Sequence, residues 1–322
     1  MKKILGIDLG GTSAKVGIIS QSGDLEHSFS ITNPKTKIIE NLYFEIQKTL
    51  KTLNIDEKNI MLVGITAPGF VDHDKGIVIM APNIENGWFN YDLKTEAEFL
   101  FKKPVYVIND VNAAALGEYK KGSGLVYKSG LFYWLGTGIG GAIISDGKLI
   151  SGSHGFAGEF GHGGSNQYNL KCNCGLDNCI EKVCSATTIP NSLLKILNNK
   201  YPEFYQKHFL NIKNLDMKLL FEIYNNLNKP IELKNSLLEV YNELFNHMSL
   251  LIHALDPDVV IIGGGGSLAG NNLLELFEFG VRNKLTNSYK DIVDFKLALL
   301  KNDAGIIGAA FYALEQSTLK AS

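Results

Sequence analysis

The sequence is short of several things, and each shortage narrows the reading. Arg282 is the only arginine among 31 basic residues, and the formal net charge is −2. A chain of that balance has no basic footprint, so nucleic-acid binding is not expected. No apolar run reaches the roughly 18 residues that a membrane-spanning helix needs, so no membrane association is expected. The apolar stretch after the first lysines is too short and too rich in glycine for a signal peptide, and a cytoplasmic location follows as an expectation. Cysteine is scarce as well. There are four, and Cys172, Cys174 and Cys179 fall within eight residues. That clustering suits a metal in a reducing compartment better than a disulfide framework. Short-period repeats and low-complexity tracts are absent.

What the chain does have is length and alternation. Its 322 residues are about twice a typical domain, which predicts two lobes. A chain of this size buries roughly three quarters of its unfolded surface without needing a covalent staple. Apolar runs predict strands at Ile4–Leu9, Lys15–Ile19, Leu25–Ile31, Met61–Ile65 and Pro104–Ile108. Further strands are predicted at Leu131–Leu135, Ala142–Ile144, Val259–Ile262 and Phe295–Leu300. Apolar residues at every third or fourth position predict helices over Lys37–Leu53, Asp92–Phe101, Asp110–Lys121, Leu268–Leu285 and Gly305–Glu315. From Ala186 to about Ala254 the pattern is helical, with breaks near Pro202, Asn211 and Pro230. Two units, starting at Ile4 and Leu131, each open with a strand, a glycine turn and a second strand, as a distant duplication would produce.

Three glycine turns follow apolar strands: Gly10-Gly11-Thr12, Gly136-Thr137-Gly138 and Gly263–Gly266. Glycine there lets backbone N–H groups approach an anion, and threonine adds a hydroxyl donor. One such turn is equally a tight hairpin, but three in one chain favour a shared nucleotide. Gly136, Gly138 and Gly141 also fit the spacing of a dinucleotide fingerprint. That motif needs a helix next, and the sequence continues as a hairpin instead, so the dinucleotide reading is rejected. Asp8 either holds Mg²⁺ on nucleotide phosphates through water or caps its turn. Lys15 either reaches phosphate or is a solvated strand lysine.

Asn109-Asp110 stands at a strand end and opens a helix. Either it is an ordinary cap, or Asp110 accepts a proton from a hydroxyl attacking a phosphoryl group. Pro68-Gly69, Asn83, Trp88 and Glu159 supply loop polar groups and an aromatic of the kind that line a sugar pocket. His162, Cys172, Cys174 and Cys179 make a tetrahedral Zn²⁺ set. Four protein ligands close the shell, which marks a structural site. Cys184 in place of His162 is the competing fourth ligand, and free cysteines without metal are the plainer alternative.

Taken together these segments resemble the ROK family of sugar kinases and repressors. Asp8–Lys15 is similar to its first phosphate motif, and Thr66–Asp72 and Ala81–Trp88 to its sugar loops. Ile108–Glu118 is similar to the segment with the catalytic base, Leu135–His162 to the family signature, Cys172–Glu181 to the zinc motif and Val259–Ser267 to the adenosine-side loop. The resemblance implies an α/β, two-lobed, actin-like ATPase or hexokinase (ribonuclease H-like) fold with a structural zinc site. It implies a smaller lobe of residues 1–118 plus 304–322, a larger lobe of 119–303, and an active site between them.

Carried over, Asp110 becomes the general base. Gly69, Asn83, Asn109, Glu159, His162 and Glu181 become sugar ligands. Asp8, Gly10, Gly11, Thr12, Lys15, Gly136, Thr137, Gly138, Gly264 and Gly265 face Mg-ATP. The implied activity is ATP-dependent phosphorylation of glucose at its 6-hydroxyl, by a homodimer or homotetramer. Kinases for N-acetylmannosamine or fructose, a polyphosphate donor and a non-catalytic sugar sensor are the alternatives. The phosphate motif begins by residue 8, which leaves no helix-turn-helix segment ahead of it and disfavours a repressor. Asn178 departs from the family's usual glycine before the third cysteine, and Ile108 from a common acidic residue. The stretch from about Leu193 to Pro230 matches poorly.

Overall fold

The structure, a computed structural model, describes residues 2–34, 36–81, 84, 87–164 and 170–321. It divides into two units. One comprises Met1–Val126, Leu149–Ala157 and Leu299–Ser322, the other Tyr127–Lys148 and Gly158–Ala298.

The first unit is built on a five-stranded sheet of β1 (Lys3–Leu9), β2 (Ser13–Ser20), β3 (Leu25–Thr32), β4 (Ile60–Ala67) and β8 (Val105–Asn109), in the order β3-β2-β1-β4-β8. The β1, β2 and β3 strands form an antiparallel meander, while β4 and β8 extend the sheet in parallel. Parallel strands buried on both faces are continuous apolar runs, and in β1 Ile4, Leu5, Ile7 and Leu9 are all buried. Helix α1 (Ile38–Thr52) buries Ile38, Ile39, Leu42, Ile46 and Leu50 on one stripe. Helix α2 (Leu93–Phe101) starts at Asp92, whose carboxylate accepts the Thr95 N–H. Helix α3 (Asp110–Lys121) packs on the C-terminal helix Ala304–Ala321, which also covers β1 and β4.

Between β4 and α2 the chain forms a small antiparallel sheet that the apolar pattern did not foretell. Its strands are β5 (Phe70–Asp72), β6 (Ile77–Ala81) and β7 (Trp88–Tyr91). They are three to five residues long, too short for alternation to rise above the surrounding loop sequence.

The second unit repeats the theme. Strands β9 (Gly130–Leu135), β10 (Ile139–Ser145), β11 (Lys148–Leu149), β12 (Val259–Gly263) and β13 (Asp294–Leu297) pair in the order β11-β10-β9-β12-β13. The β9–β10 pair is antiparallel, and β9–β12 and β12–β13 are parallel. Strand order, and the pairing sense of the four strands β10, β9, β12 and β13, therefore match those of the first sheet, as the duplicated sequence pattern suggested.

Helices α4 (Glu181–Cys184), α5 (Ile189–Lys200), α6 (Pro202–His208), α7 (Met217–Asn226), α8 (Ile231–Val240), α9 (Asn242–Leu255) and α10 (Asn271–Arg282) complete the unit. Breaks fall where Pro202, Asn211 and Pro230 predicted them. A further break at Tyr241 was not foreseen, and the last strand ends at Leu297 rather than Leu300. Tyr241 and Phe245 turn into the core, with ring centroids 4.7 and 5.2 Å from Phe277. Burying rings of that size is worth about 1.5–3 kcal/mol each.

Candidate active site and metal centre

In the first unit the glycine turn after β1 is closed by hydrogen bonds, with Gly10 N–H donating to Ser13 O at 3.0 Å. Asn33, just past β3, braces it from outside. Its Nδ2 donates to Gly10 O at 2.8 Å and its N–H to Thr12 O at 3.0 Å. Thr12 itself is exposed.

Asp8, at the end of β1, pairs in register with Thr66 of β4. The Thr66 hydroxyl donates to Asp8 Oδ1 at 2.7 Å and accepts the Leu9 N–H at 3.0 Å. Burial pushes the Asp8 carboxyl above its ordinary range, opposed by the Thr66 hydrogen bond and by Lys15. A carboxylate at this strand end is a fit partner for a hydrated cation. Lys15 is half-buried, and its Nζ lies 2.7 Å from the Asp303 carboxylate.

The strand-to-helix junction at Asn109 is tightly tied. Its Oδ1 accepts the Val111 and Asn112 N–H groups at 2.9 and 3.1 Å, an N-cap of α3. Its Nδ2 donates to Gly69 O at 2.9 Å, which leaves one amide hydrogen for a ligand. Gly69 has φ of 79°, and a side chain there would collide with the Met80 carbonyl. Asp110 is the first residue of α3 and half-buried, and its Oδ1 accepts the Val111 N–H at 2.9 Å. A carboxylate at this position lies where the helix dipole favours negative charge. Asn83 lies outside the described residues. Trp88 stacks on Tyr91 at 4.2 Å and packs on the core of the unit.

In the second unit the turn after β9 is pinned at both ends. Gly136 N–H donates to Gly138 O, and the Ala186 N–H reaches back to Gly136 O, each at 3.0 Å. The Thr187 hydroxyl donates to Thr137 O at 3.1 Å. Gly138 is a close-approach glycine, because a Cβ there would run into Glu181 Oε2. Gly264 and Gly265 follow β12, and the space beside Gly136 and Gly265 is open.

The metal set assembles in this same unit. His162, Cys172, Cys174 and Cys179 each offer a ligand atom, all within 4.8 Å of one another. A zinc tetrahedron with Zn–S bonds of about 2.3 Å has edges of about 3.8 Å. The Cys174–Cys179 sulfurs are 3.5 Å apart, and Cys172 Sγ is 3.9 Å from His162 Nδ1. The donor set therefore fits zinc. Cys184 is not the fourth ligand. It sits in the apolar core, its thiol donates to Val240 O at 3.2 Å, and burial pushes it up to about 12.

Asn178 has φ of 63°, a conformation glycine adopts freely and asparagine tolerates. Its Oδ1 accepts the Leu170 N–H at 2.9 Å, a bond that glycine lacks.

The acidic neighbours are carried by the same loop. His162 faces the cysteines with Nδ1 and Glu159 with Nε2, the latter at 3.6 Å. Glu181 opens α4, and its Oε1 lies 3.2 Å from Cys172 Sγ. Burial pushes the Glu159 carboxyl up, His162 opposes the shift and Glu181 adds to it. Phe160 anchors the loop between Tyr133 and His247, at centroid distances of 4.8 and 5.3 Å.

Against this geometry, comparison with known proteins gives a consistent answer. The ROK family model matches residues 4–316. The chain belongs to the ROK family. It is 32% identical to a glucokinase of Halalkalibacterium halodurans, over 97% of this chain and 95% of that one. A glucokinase of Thermotoga maritima is also 32% identical, over 96% of each. Among solved structures, the ROK family glucokinase of Streptomyces griseus in complex with glucose and AMPPNP matches with a TM-score of 0.76 and 30% identity, covering 97% of this chain and 99% of that one. The fold is thus the two-lobed, actin-like hexokinase fold. The family is not uniform. A xylose repressor of Caldicellulosiruptor bescii is 29% identical over 95% of this chain and 76% of its own. Among the described residues no helix is long and apolar enough to cross a membrane.

Three residues of the sites went unread in the sequence. Thr66, which orients Asp8, registered only as the first letter of a loop motif. His73, which contacts the Asn109 N–H, carried no signal at all. Glu118 is fully buried at the end of α3, and its two oxygens accept the Ser123 and Leu300 N–H groups at 2.9 and 2.6 Å. Nothing in a sequence reveals a partner so far along the chain.

Proposed function

We propose that this ROK protein is an ATP-dependent glucokinase with Asp110 as general base. The observation that carries the reading is the junction at Asn109. Its side chain is committed to Gly69 and to the first turn of α3, which fixes the backbone that bears Asp110. Asp110 takes the proton of the glucose 6-hydroxyl as that oxygen bonds to the γ-phosphorus. The bond from the γ-phosphorus to the bridging oxygen breaks, and ADP carries that electron pair away.

Asn109, Glu159, His162 and Glu181, with Asn83 from the sugar loop, orient the hexose. Glu159 and Glu181 accept hydrogen bonds from its hydroxyls. Gly10 and Gly136 close their turns, Gly11–Thr12 and Thr137–Gly138 donate N–H and hydroxyl groups to the phosphates, and Gly264 and Gly265 leave room for the adenosine side. Lys15, paired with Asp303 and close enough to Asp8 to act on its charge, adds positive charge beside the phosphates. Asp8 would hold Mg²⁺ through water, and Mg²⁺ neutralises phosphate charge when bound. His162, Cys172, Cys174 and Cys179 would hold Zn²⁺, which supplies a rigid anchor for the loop and no chemistry.

Glucokinase relatives at 32% and 30% identity support glucose as the hexose and ATP as the donor. The test is ADP release by the purified chain over a panel of glucose, fructose, mannose and N-acetylmannosamine, with polyphosphate as a second donor. Glucose with ATP is expected to give the highest kcat/KM. A different preferred sugar or donor would reassign the substrate. No turnover with any pair would mark a sugar-sensing regulator and end the enzyme reading.

A further inference from the structure

Among the described residues strand β8 is the outer strand of its sheet and pairs only with β4. An outer strand leaves backbone N–H groups for water or for other partners. At Asn109, where the strand turns into α3 and Asp110, the partner is a side chain. The Asn109 N–H donates to His73 Nε2 at 3.3 Å. For Nε2 to accept, the imidazole must be neutral with its proton on Nδ1. Burial keeps the ring neutral by pushing it down to about 4, against the pull of Asp74 and Asp72, and the bond to the Asn109 N–H selects the tautomer. Nδ1 is buried and has no hydrogen-bond partner among the described residues.

The ring's aromatic neighbour is Tyr312, with centroids 6.1 Å apart. An apolar side chain would pack there without stranding a buried donor. Packing alone therefore disfavours histidine, and what the imidazole adds is the bond to Asn109. The second holder of Asn109, the Gly69 carbonyl, stands at the other end of the same short strand. Gly69 precedes β5 and His73 follows it.

We propose that His73 is a positioning residue: with the Gly69 carbonyl it clamps Asn109 to both ends of β5 and so fixes the direction in which Asp110 leaves β8. The proposal rests on the reading of Asp110 as the base. It assigns His73 no contact with sugar or nucleotide; because Asn109 is itself read as a sugar ligand, the loss of His73 lowers glucose affinity, but by less than it lowers turnover.

The test uses the full chain and three variants. His73→Leu keeps the bulk but cannot accept the N–H. It is expected to lower kcat about 10- to 100-fold, the scale of a small misplacement of a reacting group, with glucose affinity lowered by less than kcat and ATP KM changed by less than about twofold. In His73→Gln an amide oxygen accepts the same N–H, and kcat is expected to return to within about threefold of wild type. A His73→Leu enzyme of wild-type kcat overturns the proposal. So does a His73→Gln enzyme as slow as His73→Leu, or a fall in glucose affinity that parallels kcat.

Asp110→Asn, assayed beside them, separates the two ideas. If it keeps turnover, the base is misassigned. If it is inactive while His73→Leu is normal, only the clamp fails. Should His73→Leu not fold, nitrogen-15 NMR of the wild-type histidine rings supplies the answer. A neutral ring protonated on Nδ1 at pH of about 6 supports the clamp, and a proton on Nε2 contradicts it.

Discussion

Replacing Thr66 by valine keeps the shape of a fully buried side chain and removes one hydroxyl. That hydroxyl does two things: it donates to Asp8 and accepts from the Leu9 N–H. A hydrogen bond to a charged group is worth about 1.5–3 kcal/mol, and an unpaired buried donor costs about 1–3 kcal/mol. The two share one atom and do not add in full, so a loss of about 2–4 kcal/mol is expected.

The loss should depend on pH. Burial already raises the Asp8 carboxyl, and the Thr66 bond restrains that rise. A carboxyl whose folded value lies above its unfolded one favours the native state when protonated. That stability is complete below the ordinary value of 3.8 and is lost as pH rises through the folded value. Without Thr66 the folded value moves higher and the loss grows. Urea unfolding of wild type and Thr66→Val at pH of about 7 and about 4 measures the difference. The gap between the two proteins should be wider at the higher pH, and kcat should fall with glucose affinity intact. Equal gaps at both pH values, or no gap, would refute the assigned role of Thr66.

Two further substitutions probe the supports around the site. Cys174→Ser is expected to lose zinc, counted by metal analysis. Glucose KM should rise about tenfold or more and ATP KM should stay near wild type, because metal ligation holds the loop that carries Glu159 and Glu181. Metal loss with unchanged sugar kinetics would reduce the cluster to scaffolding. Glu118→Gln replaces one of two acceptors by an amide that faces a backbone N–H, and should cost about 2–3 kcal/mol in urea unfolding. An unchanged midpoint would show that the bonds to Ser123 and Leu300 contribute nothing.

Much of the fold and part of the site were legible in the sequence, for identifiable reasons. The long strands of both sheets are continuous apolar runs, and the helices bury one stripe, so period and composition reveal them. His162 and the three cysteines that fit a zinc site cluster in sequence because a loop must bring them together locally. Asn109-Asp110 shows itself because caps are chemical signals at helix starts.

What stayed hidden depends on pairing between distant segments. Strands β5 to β7 are too short to show a period, yet β5 is flanked by both groups that hold Asn109. Thr66 and His73 are single polar residues whose partners lie more than thirty positions away. The ion pair of Lys15 with Asp303 was equally hidden, because the two residues are remote in sequence. Cys184 competed with His162 until burial in the apolar core separated them.

The central claim is that Asp110 removes the proton from the sugar hydroxyl, and Asp110→Asn tests it most directly. Asparagine keeps the size of the side chain and cannot accept the proton. Turnover of glucose should fall about 100- to 10,000-fold, while equilibrium glucose binding and zinc content stay at wild-type levels. An Asp110→Asn protein that binds glucose, retains zinc and turns over near the wild-type rate would contradict the account.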